Sequence, residues 1–259
     1  MIILAAGQGK RLRPLTNNYP KCMVEVDGKP LIEWQIEVAR QCGLNDLSIV
    51  CGYKSEMIKI SDVTYFHNPY YEKTNMVETL WCSKSVFGNE FIVSYGDIIY
   101  EERVLNALLD DNHPVSVVVD TGWQEQWSER FENVLDDAET LKVTDEGKIT
   151  NIGQVPSSIN EIQGQYIGLV AFRNEGVLAL NDIYNKAKIQ SKDGSKPLRG
   201  QRSFENLYMT DILQGLIDDE YPIHAVKINR GWLEIDSMRD LEIANYKVRS
   251  TKGKIQILS

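Results

Sequence analysis

The chain begins with an apolar run that leads directly into a loop with two glycines, Gly7 and Gly9. Such a run, without alternating polar residues, is typical of a parallel strand that is covered on both faces. The glycines allow the loop backbone to come close to a ligand, and successive N–H groups of such a loop can bind an anion. Arg11 and Lys21 add positive charge beside the loop. This arrangement predicts an α/β fold with an anion-binding loop at the carboxyl end of its first strand.

The rest of the chain alternates between patterns typical of strands and of helices. Short apolar runs predict strands at residues 1–5, 47–52, 64–67, 91–97, 114–120 and 166–172, a hairpin over 140–143 and 148–153, and a strand pair within 224–235. Periodic apolar positions predict helices over residues 30–42, 75–86, 177–188, 208–218 and 238–248, with Asn75 and Ser237 as N-caps. Residues 186–202 are basic and aperiodic, which predicts a mobile loop. A single α/β domain with a mixed central sheet is the simplest prediction.

Composition narrows the class of partner. The formal net charge of -9 disfavours nucleic acid, because binding to its backbone requires a basic face. No apolar run is long enough to span a bilayer, and the first residues lack the features of a signal peptide, so we expect a cytoplasmic protein without a membrane partner. The cysteines form no CxxC pair, and the histidines are far apart in the sequence, which predicts neither a metal cluster nor a His-centred triad. Those histidines are His67, His113 and His224. Oligomeric state is not predicted.

The loop belongs to a longer pattern that starts at Leu4 and ends at Lys21, LAAGxGxRLxPLTxxxPK. It is not a P-loop, and Leu12 stands where the GxGxxG pattern requires its third glycine. Every fixed position matches the signature of nucleotidyltransferases that activate sugar phosphates and small phospho-alcohols, so the chain resembles that family. The resemblance implies a Rossmann-like, GT-A-type nucleotidyltransferase fold with a mixed central sheet. It also implies one domain, residues 1–259, in which 1–120 bind the nucleotide and 121–259 bind the acceptor and close the site.

The same resemblance implies roles for particular residues. Arg11 would neutralise the β- and γ-phosphates, and Lys21 would stabilise charge at the α-phosphate, which makes both catalytic candidates. Asp97, at the end of a predicted strand, and Asp236, in the segment Trp-Leu-Glu-Ile-Asp, would hold Mg2+, a hard cation that prefers carboxylate and phosphate oxygens. The nucleotide-binding candidates are Leu4, Ala5, Ala6, Gly7, Gly9, Arg11, Lys21, Asn75 and Thr79.

Residues 71–80, 136–142, 164–169 and 234–237 resemble the cytidylyltransferases of small phospho-amines, including phosphocholine cytidylyltransferases. The sugar-activating branch carries a Glu-Lys-Pro whose lysine holds the acceptor phosphate; here residues 153–156 read Gly-Gln-Val-Pro, and Lys142 is the substitute candidate. Residues 120–139 mix aromatic and acidic side chains. They predict either a site for an ammonium or trimethylammonium group or an amphipathic surface segment with Trp123 and Trp127 on its buried side. The acceptor-binding candidates are Glu139, Lys142, Tyr166 and Glu234.

The predicted reaction is CTP-dependent transfer of CMP to a small phosphate or phosphonate that bears an amine, with release of pyrophosphate. The candidate acceptors are phosphocholine, phosphoethanolamine, 2-aminoethylphosphonate and phosphoglutamine, and the resemblance implies a product used as a precursor of cell-surface polysaccharide. Two alternatives remain open: a sugar 1-phosphate nucleotidyltransferase that uses UTP or dTTP, and a nucleotide-binding regulatory module without catalysis. A glycosyltransferase of similar fold would need a DxD metal motif, and the acidic pairs at residues 110–111 and 218–219 lie in helical, polar contexts that do not fit it. Residues 186–202 are predicted either to close over the substrates or to stay solvated.

Overall fold

The computed structural model describes residues 1–251 and 254–258. Its strands are β1 (Ile2–Ala5), β2 (Glu25–Val26), β3 (Lys29–Pro30), β4 (Ser48–Cys51), β5 (Thr64–His67), β6 (Glu90–Tyr95), β7 (Ile98–Tyr100), β8 (Val115–Asp120), β9 (Leu141–Val143), β10 (Ile149–Ile152), β11 (Gln165–Arg173), β12 (His224–Ile228), β13 (Trp232–Glu234), β14 (Val248–Thr251) and β15 (Lys254–Ile257). Its α-helices are α1 (Leu31–Gln41), α2 (Met76–Trp81), α3 (Glu102–Asp110), α4 (Trp123–Arg130), α5 (Glu175–Gln190), α6 (Met209–Asp218) and α7 (Met238–Lys247).

Seven of these strands form one central sheet in the order β12-β8-β11-β6-β1-β4-β5. Strand β11 is antiparallel to both of its neighbours, and the other neighbouring pairs are parallel. The predicted mixed central sheet is therefore confirmed. Because β1 and β6 are adjacent and parallel, their carboxyl ends lie side by side, and the residues that follow both strands meet at one edge of the sheet.

The central sheet is covered on both faces, as the unbroken apolar run of β1 predicts. Ile3 and Ala5 pack into one hydrophobic cluster, whereas Ile2 and Leu4 pack into the cluster on the opposite face. All four side chains are buried, and successive side chains of a strand point to opposite faces. The first strand is thereby held rigidly, and so is the start of the loop that follows it.

Several element boundaries differ from the sequence prediction. Helix α2 ends at Trp81, and residues 84–86 form a separate 3-10 turn, because the backbone amides of Cys82 and Ser83 bond to Thr79 and Leu80 in a tightened last turn. Helix α5 continues to Gln190, so the first residues of the predicted basic loop are helical. Helix α3 and the short pairs β2-β3 and β14-β15 were not predicted. Within the described residues, no helix has the length and apolarity needed to cross a bilayer.

Candidate active site

The glycine loop after β1 is held by its own backbone. Gly9 has φ 62°, a left-handed conformation that favours glycine. The amide of Lys21 donates to the carbonyl of Gly7 at 3.3 Å, and the hydroxyl of Thr16 donates to the carbonyl of Gly9 at 2.7 Å. A Cβ on Gly9 would lie 3.0 Å from the Cβ of Lys21, so the side chain of Lys21 packs directly on this glycine. The loop and Lys21 therefore form one rigid unit.

Asp97 and Asp236 are brought together by a second, two-stranded ladder. Strand β7 follows Asp97 and pairs antiparallel with β13, with Glu234 opposite Ile98. The amide of Ile235 then donates to the carbonyl of Asp97 at 2.9 Å, which places Asp236 beside it. A capping box at Ser237 ends this ladder and starts α7, as predicted. Two carboxylates that are 139 positions apart, 97 to 236, thus share one edge of the site.

The two predicted catalytic cations contact these carboxylates. The ammonium nitrogen of Lys21 lies 2.6 Å from Oδ2 of Asp97 and also contacts Asp236. Arg11 pairs with Asp236 from the solvent side, and its side chain is 61% exposed. Oδ1 of Asp97 is buried without a hydrogen-bond partner in the described part of the chain. Four charged residues that are far apart in the sequence therefore form one polar centre, which consists of Arg11, Lys21, Asp97 and Asp236.

Two cavities open on either side of Asp97. The loop cavity, about 160 Å³, is lined by the glycine loop and by the start of α2. The carboxylate cavity, about 370 Å³, is lined by carboxylates and aromatic rings, together with Arg11. Asn75, Met76, Tyr95 and Asp97 line both cavities, so the two spaces meet at Asp97, one of the two carboxylates that Lys21 contacts.

The predicted nucleotide-binding residues mostly surround the loop cavity. Asn75 caps α2 by accepting from the amide of Met76, and the hydroxyl of Thr79 donates to the carbonyl of Asn75 at 3.1 Å. Ala5 and Gly9 do not line the cavity: Ala5 packs in the core, and Gly9 packs against Lys21. Arg11 lines the carboxylate cavity instead, and Lys21 lines neither cavity but contacts Asp97, which lines both. The predicted residues that line the loop cavity are Leu4, Ala6, Gly7, Asn75 and Thr79.

Of the predicted acceptor-binding residues, Glu139, Tyr166 and Glu234 line the carboxylate cavity, but Lys142 does not. Lys142 lies on β9, and its ammonium donates to the carbonyl of Asn160. The structure therefore does not bring Lys142 to the site, because its strand belongs to the β9-β10 hairpin and not to the central sheet.

Burial changes the ionisation of two carboxyl groups in the carboxylate cavity. It raises the pKa of Glu139 to about 7, against a smaller opposing effect of the Arg202 guanidinium. Burial also raises the pKa of Glu234, and the nearby charge of Arg130 opposes this rise. Carboxyl pKa values that desolvation raises are typical of functional sites.

Residues 120–139 were predicted to form either a site for an ammonium group or an amphipathic segment, and the structure has features of both. Trp123 and Trp127 are both buried in the core, which fits the prediction of an amphipathic segment with these two residues on its buried side, and Trp127 also lines the carboxylate cavity. The cation on these aromatic faces belongs to the protein itself: the Arg130 guanidinium carbon lies 5.2 Å from the ring centre of Trp127 and 5.0 Å from that of Phe131. Arg130 also pairs with Glu234 at 2.8 Å.

Sequence reasoning missed the buried pair of Arg130 and Asp240. Nε of Arg130 donates to Asp240 at 2.7 Å, and Asp240 in turn accepts from the amides of Asp236 and Ser237. Arg130 and Asp240 lie 110 positions apart in the sequence, so no local sequence pattern could indicate that they pair. Tyr208 and Thr210 also line the carboxylate cavity, and their Tyr-Met-Thr-Asp segment was the available sign.

The histidines do not all stand alone, contrary to the sequence prediction. His113 and His224 stack with ring centres 3.7 Å apart, and each contacts the carboxylate of Asp111, so these three residues have ligand atoms within 4.8 Å of one another. The rings are nearly parallel, at 17°, so their in-plane lone pairs do not converge on one point. The cluster lies where β12 begins, at the opposite end of the strand from Ile228, and it does not line either cavity.

The sequence of the chain is similar to those of known nucleotidyltransferases. The MobA-like NTP transferase domain matches residues 1–177. The chain is 39% identical over 253 residues to the CTP:phosphoglutamine cytidylyltransferase of Campylobacter jejuni subsp. jejuni serotype O:2, covering 93% of this chain and 97% of that protein. It is 37% identical over 111 residues to the choline-phosphate cytidylyltransferase of Streptococcus pneumoniae, covering 41% of this chain and 48% of that protein.

Among solved structures, the chain is similar to the CTP:phosphocholine cytidylyltransferase LicC from Streptococcus pneumoniae. The TM-score is 0.73 at 25% sequence identity, and the match covers 95% of this chain and 96% of that one. The predicted fold is confirmed by this match and by the central sheet. The chain belongs to the nucleotidyltransferases of the MobA-like NTP transferase family.

Proposed function

We propose that the protein transfers CMP from CTP to a small phosphate or phosphonate that bears an amine. An anionic oxygen of the acceptor attacks the α-phosphorus of CTP in line. The bond from that phosphorus to the oxygen bridging the β-phosphate breaks, and pyrophosphate leaves with the bonding electrons. No protein base is needed, because the attacking oxygen is already ionised near neutral pH.

The observation that carries this proposal is the meeting of the two cavities at Asp97, whose carboxylate the ammonium of Lys21 contacts. The loop cavity would hold the nucleotide against the glycine loop, and the carboxylate cavity would hold the acceptor. In this proposal residues 1–120 would bind the nucleotide, and residues 121–259 would bind the acceptor and close the site. The reacting phosphates would then meet where the loop cavity joins the carboxylate cavity, so that positioning supplies much of the rate.

Lys21 and Arg11 would offset the repulsion between two polyanions. Lys21 is held by the loop backbone and by Asp97, so its ammonium is oriented before substrate arrives. A preoriented cation stabilises charge that develops at the α-phosphate without paying for reorganisation in the transition state. Arg11 is largely exposed, so its guanidinium is free to turn from Asp236 toward the β- and γ-phosphates.

Asp97 and Asp236 are the residues that would hold Mg2+. Both offer hard carboxylate oxygens, and the buried Oδ1 of Asp97 has no hydrogen-bond partner among the described residues, which fits a cation ligand. The ion, when bound, would neutralise phosphate charge. Lys21 would keep the two carboxylates together by its contacts to both.

Support for CTP and for an amine-bearing acceptor comes from the relatives and from the charge of the carboxylate cavity. The two named relatives, from Campylobacter and Streptococcus, are cytidylyltransferases for phosphoglutamine and choline phosphate. Asp137, Glu139 and Glu234 line the carboxylate cavity, which suits a cationic head group better than a neutral hexose. We also propose that the product serves as a precursor of cell-surface polysaccharide.

Pyrophosphate release with a panel of substrates tests the proposal. CTP, UTP, dTTP, ATP and GTP are each paired with phosphocholine, phosphoethanolamine, 2-aminoethylphosphonate, phosphoglutamine and glucose 1-phosphate. We expect the highest kcat/KM for CTP with an amine-bearing acceptor. Faster turnover of glucose 1-phosphate with UTP or dTTP would reject the acceptor class. Tight CTP binding without pyrophosphate release from any pair would reject catalysis itself.

A further inference from the structure

The carboxylate cavity contains hydrogen-bonding groups that the protein leaves without partners. The backbone amide and carbonyl of Glu139 bond to the side chain of Gln165, at 3.1 and 2.7 Å, but no donor among the described residues bonds to its carboxyl group. Nε1 of Trp127 and Oγ1 of Thr210 are buried and also lack partners within the described part of the chain. All three residues line the same cavity. Since buried polar groups are normally paired, the Trp127 and Thr210 groups point to a ligand that hydrogen-bonds, and the half-buried Glu139 lines the same cavity.

The aromatic rings of this cavity are, by contrast, already engaged. The Arg130 guanidinium covers Trp127, and the Arg202 guanidinium carbon lies 3.8 Å from the ring centre of Tyr208. Tyr95 and Tyr166 pack edge to face against each other, 5.7 Å apart. A quaternary ammonium group has no N–H and binds mainly through open aromatic faces. These contacts reduce the aromatic surface that such a group could use.

We propose that the cavity recognises an acceptor whose amine still carries N–H, with Glu139 as the residue that accepts from it. The inference rests on the proposed function and narrows its acceptor class. Trp127 Nε1 and Thr210 Oγ1 donate to an oxygen of the same head group, as an α-carboxylate or amide carbonyl would supply. The structure therefore favours a phosphorylated amino-acid head, which is zwitterionic, over a trimethylammonium head.

Hydrogen bonding between charged groups explains the expected selectivity. An N–H ammonium donates a charge-assisted bond to the Glu139 carboxylate, whereas each N-methyl group removes one donor and pushes the nitrogen away. Burial of the carboxyl group raises its pKa, and the nearby carboxylates of Asp211, Asp137 and Glu234 add to this rise. A site that accepts a hydrogen bond from a substrate N–H group rejects an analogue that lacks this N–H group, because the acceptor in the protein is then left unpaired.

A methylation series tests the inference directly. Phosphoethanolamine, its N-methyl and N,N-dimethyl forms and phosphocholine share one phosphate ester and differ in N–H count. O-phosphoserine adds only a carboxylate to phosphoethanolamine. We expect kcat/KM with CTP to fall along the series, by about tenfold or more from first to last, and to be highest for O-phosphoserine. Glu139→Gln should flatten the series, and Glu139→Asp should restore part of it. Glu132→Gln, an exposed carboxylate on the same segment, is the matched control.

Dissociation constants for the same acceptors, measured by calorimetry in the presence of CTP, separate this inference from the proposed function. If no acceptor releases pyrophosphate, the proposed function fails, and the ratio of dissociation constants still tests Glu139. Phosphocholine binding or reacting as well as phosphoethanolamine would overturn the inference. So would a Glu139→Gln protein that keeps the full preference while its affinity for CTP is normal.

Discussion

Lys21 and Asp97 form a nearly enclosed ion pair, with Nζ of the lysine 2.6 Å from Oδ2 of the aspartate. The lysine side chain is only 11% exposed, and the same ammonium contacts Asp236. Because the amide of Lys21 is bonded to Gly7, this pair connects the glycine loop to the carboxyl end of β6. Its charge is therefore fixed in position, which is the arrangement that electrostatic catalysis requires.

Lys21→Ala should lose about 10²-fold or more in kcat, because one fixed charge contact to the transition state is removed. The protein should remain folded, as measured by circular dichroism, since Arg11 still pairs with Asp236 and the side chain of Asp97 is 24% exposed, so that water can solvate it. Arg11→Ala should show a similar loss with little change in stability, because its side chain is mostly exposed. Lys188→Ala, on the exposed face of α5, is the control. Turnover near the unmodified rate in Lys21→Ala would reject the assigned role.

Activity should depend strictly on a divalent cation, and Asp97→Asn should weaken activity and metal dependence together. A binding measurement provides an independent readout: Mg2+ should raise the Tm of the unmodified protein, since a ligand that binds only the folded state stabilises it. The shift should shrink in Asp97→Asn and remain in Asp110→Asn, an exposed carboxylate on α3. Full turnover in excess chelator would remove the metal from the reaction.

The signature from Leu4 to Lys21 was sufficient to predict the fold and the two cations Arg11 and Lys21, because it encodes a local strand, turn and cation. The carboxylates that these cations contact, Asp97 and Asp236, were indicated by two separate segments that resemble the family. The carboxylate cavity was harder to predict. Arg130 reaches Asp240 across 110 positions, and no local pattern shows that this arginine covers Trp127. Lys142 was misplaced for the same reason, since the direction of a hairpin depends on tertiary packing.

Arg130→Met should destabilise the fold by about 3–5 kcal/mol, because removal of one partner from a buried ion pair leaves an uncompensated charge. The arginine side chain is 3% exposed and that of Asp240 is 4% exposed. The matched control is Arg199→Ala. Arg199 also pairs with an aspartate, Asp218, but both side chains are 39% exposed, and such pairs contribute about 0–1 kcal/mol. Denaturant unfolding of both variants measures the difference, and equal losses would contradict the interpretation of a buried network.

Glu139→Gln should stabilise the protein while weakening acceptor binding. In the folded state the pKa of Glu139 is raised from 4.5 to about 7 by burial, so the folded protein binds this proton more tightly than the unfolded chain does. Stability is therefore lost as pH rises from 4.5 to about 7, and the loss is complete above that range. Glutamine cannot ionise, so the variant should avoid the loss.

We expect Glu139→Gln to be more stable than the unmodified protein by about 1–3 kcal/mol at pH 8, with a difference that vanishes near the pKa of the free carboxyl group. Free energies of unfolding in urea across this pH range provide the measurement. The same pH series on Glu132→Gln, which removes an exposed carboxylate from the same segment, is the control. It shows whether the gain in stability is specific to Glu139. A Glu139→Gln protein that is less stable at pH 8 would show that the carboxylate has a stabilising partner. These stabilities also depend on the charged and titratable groups that interact electrostatically with Glu139, which are Tyr95, Asp137, Tyr166, Arg202, Asp211 and Glu234.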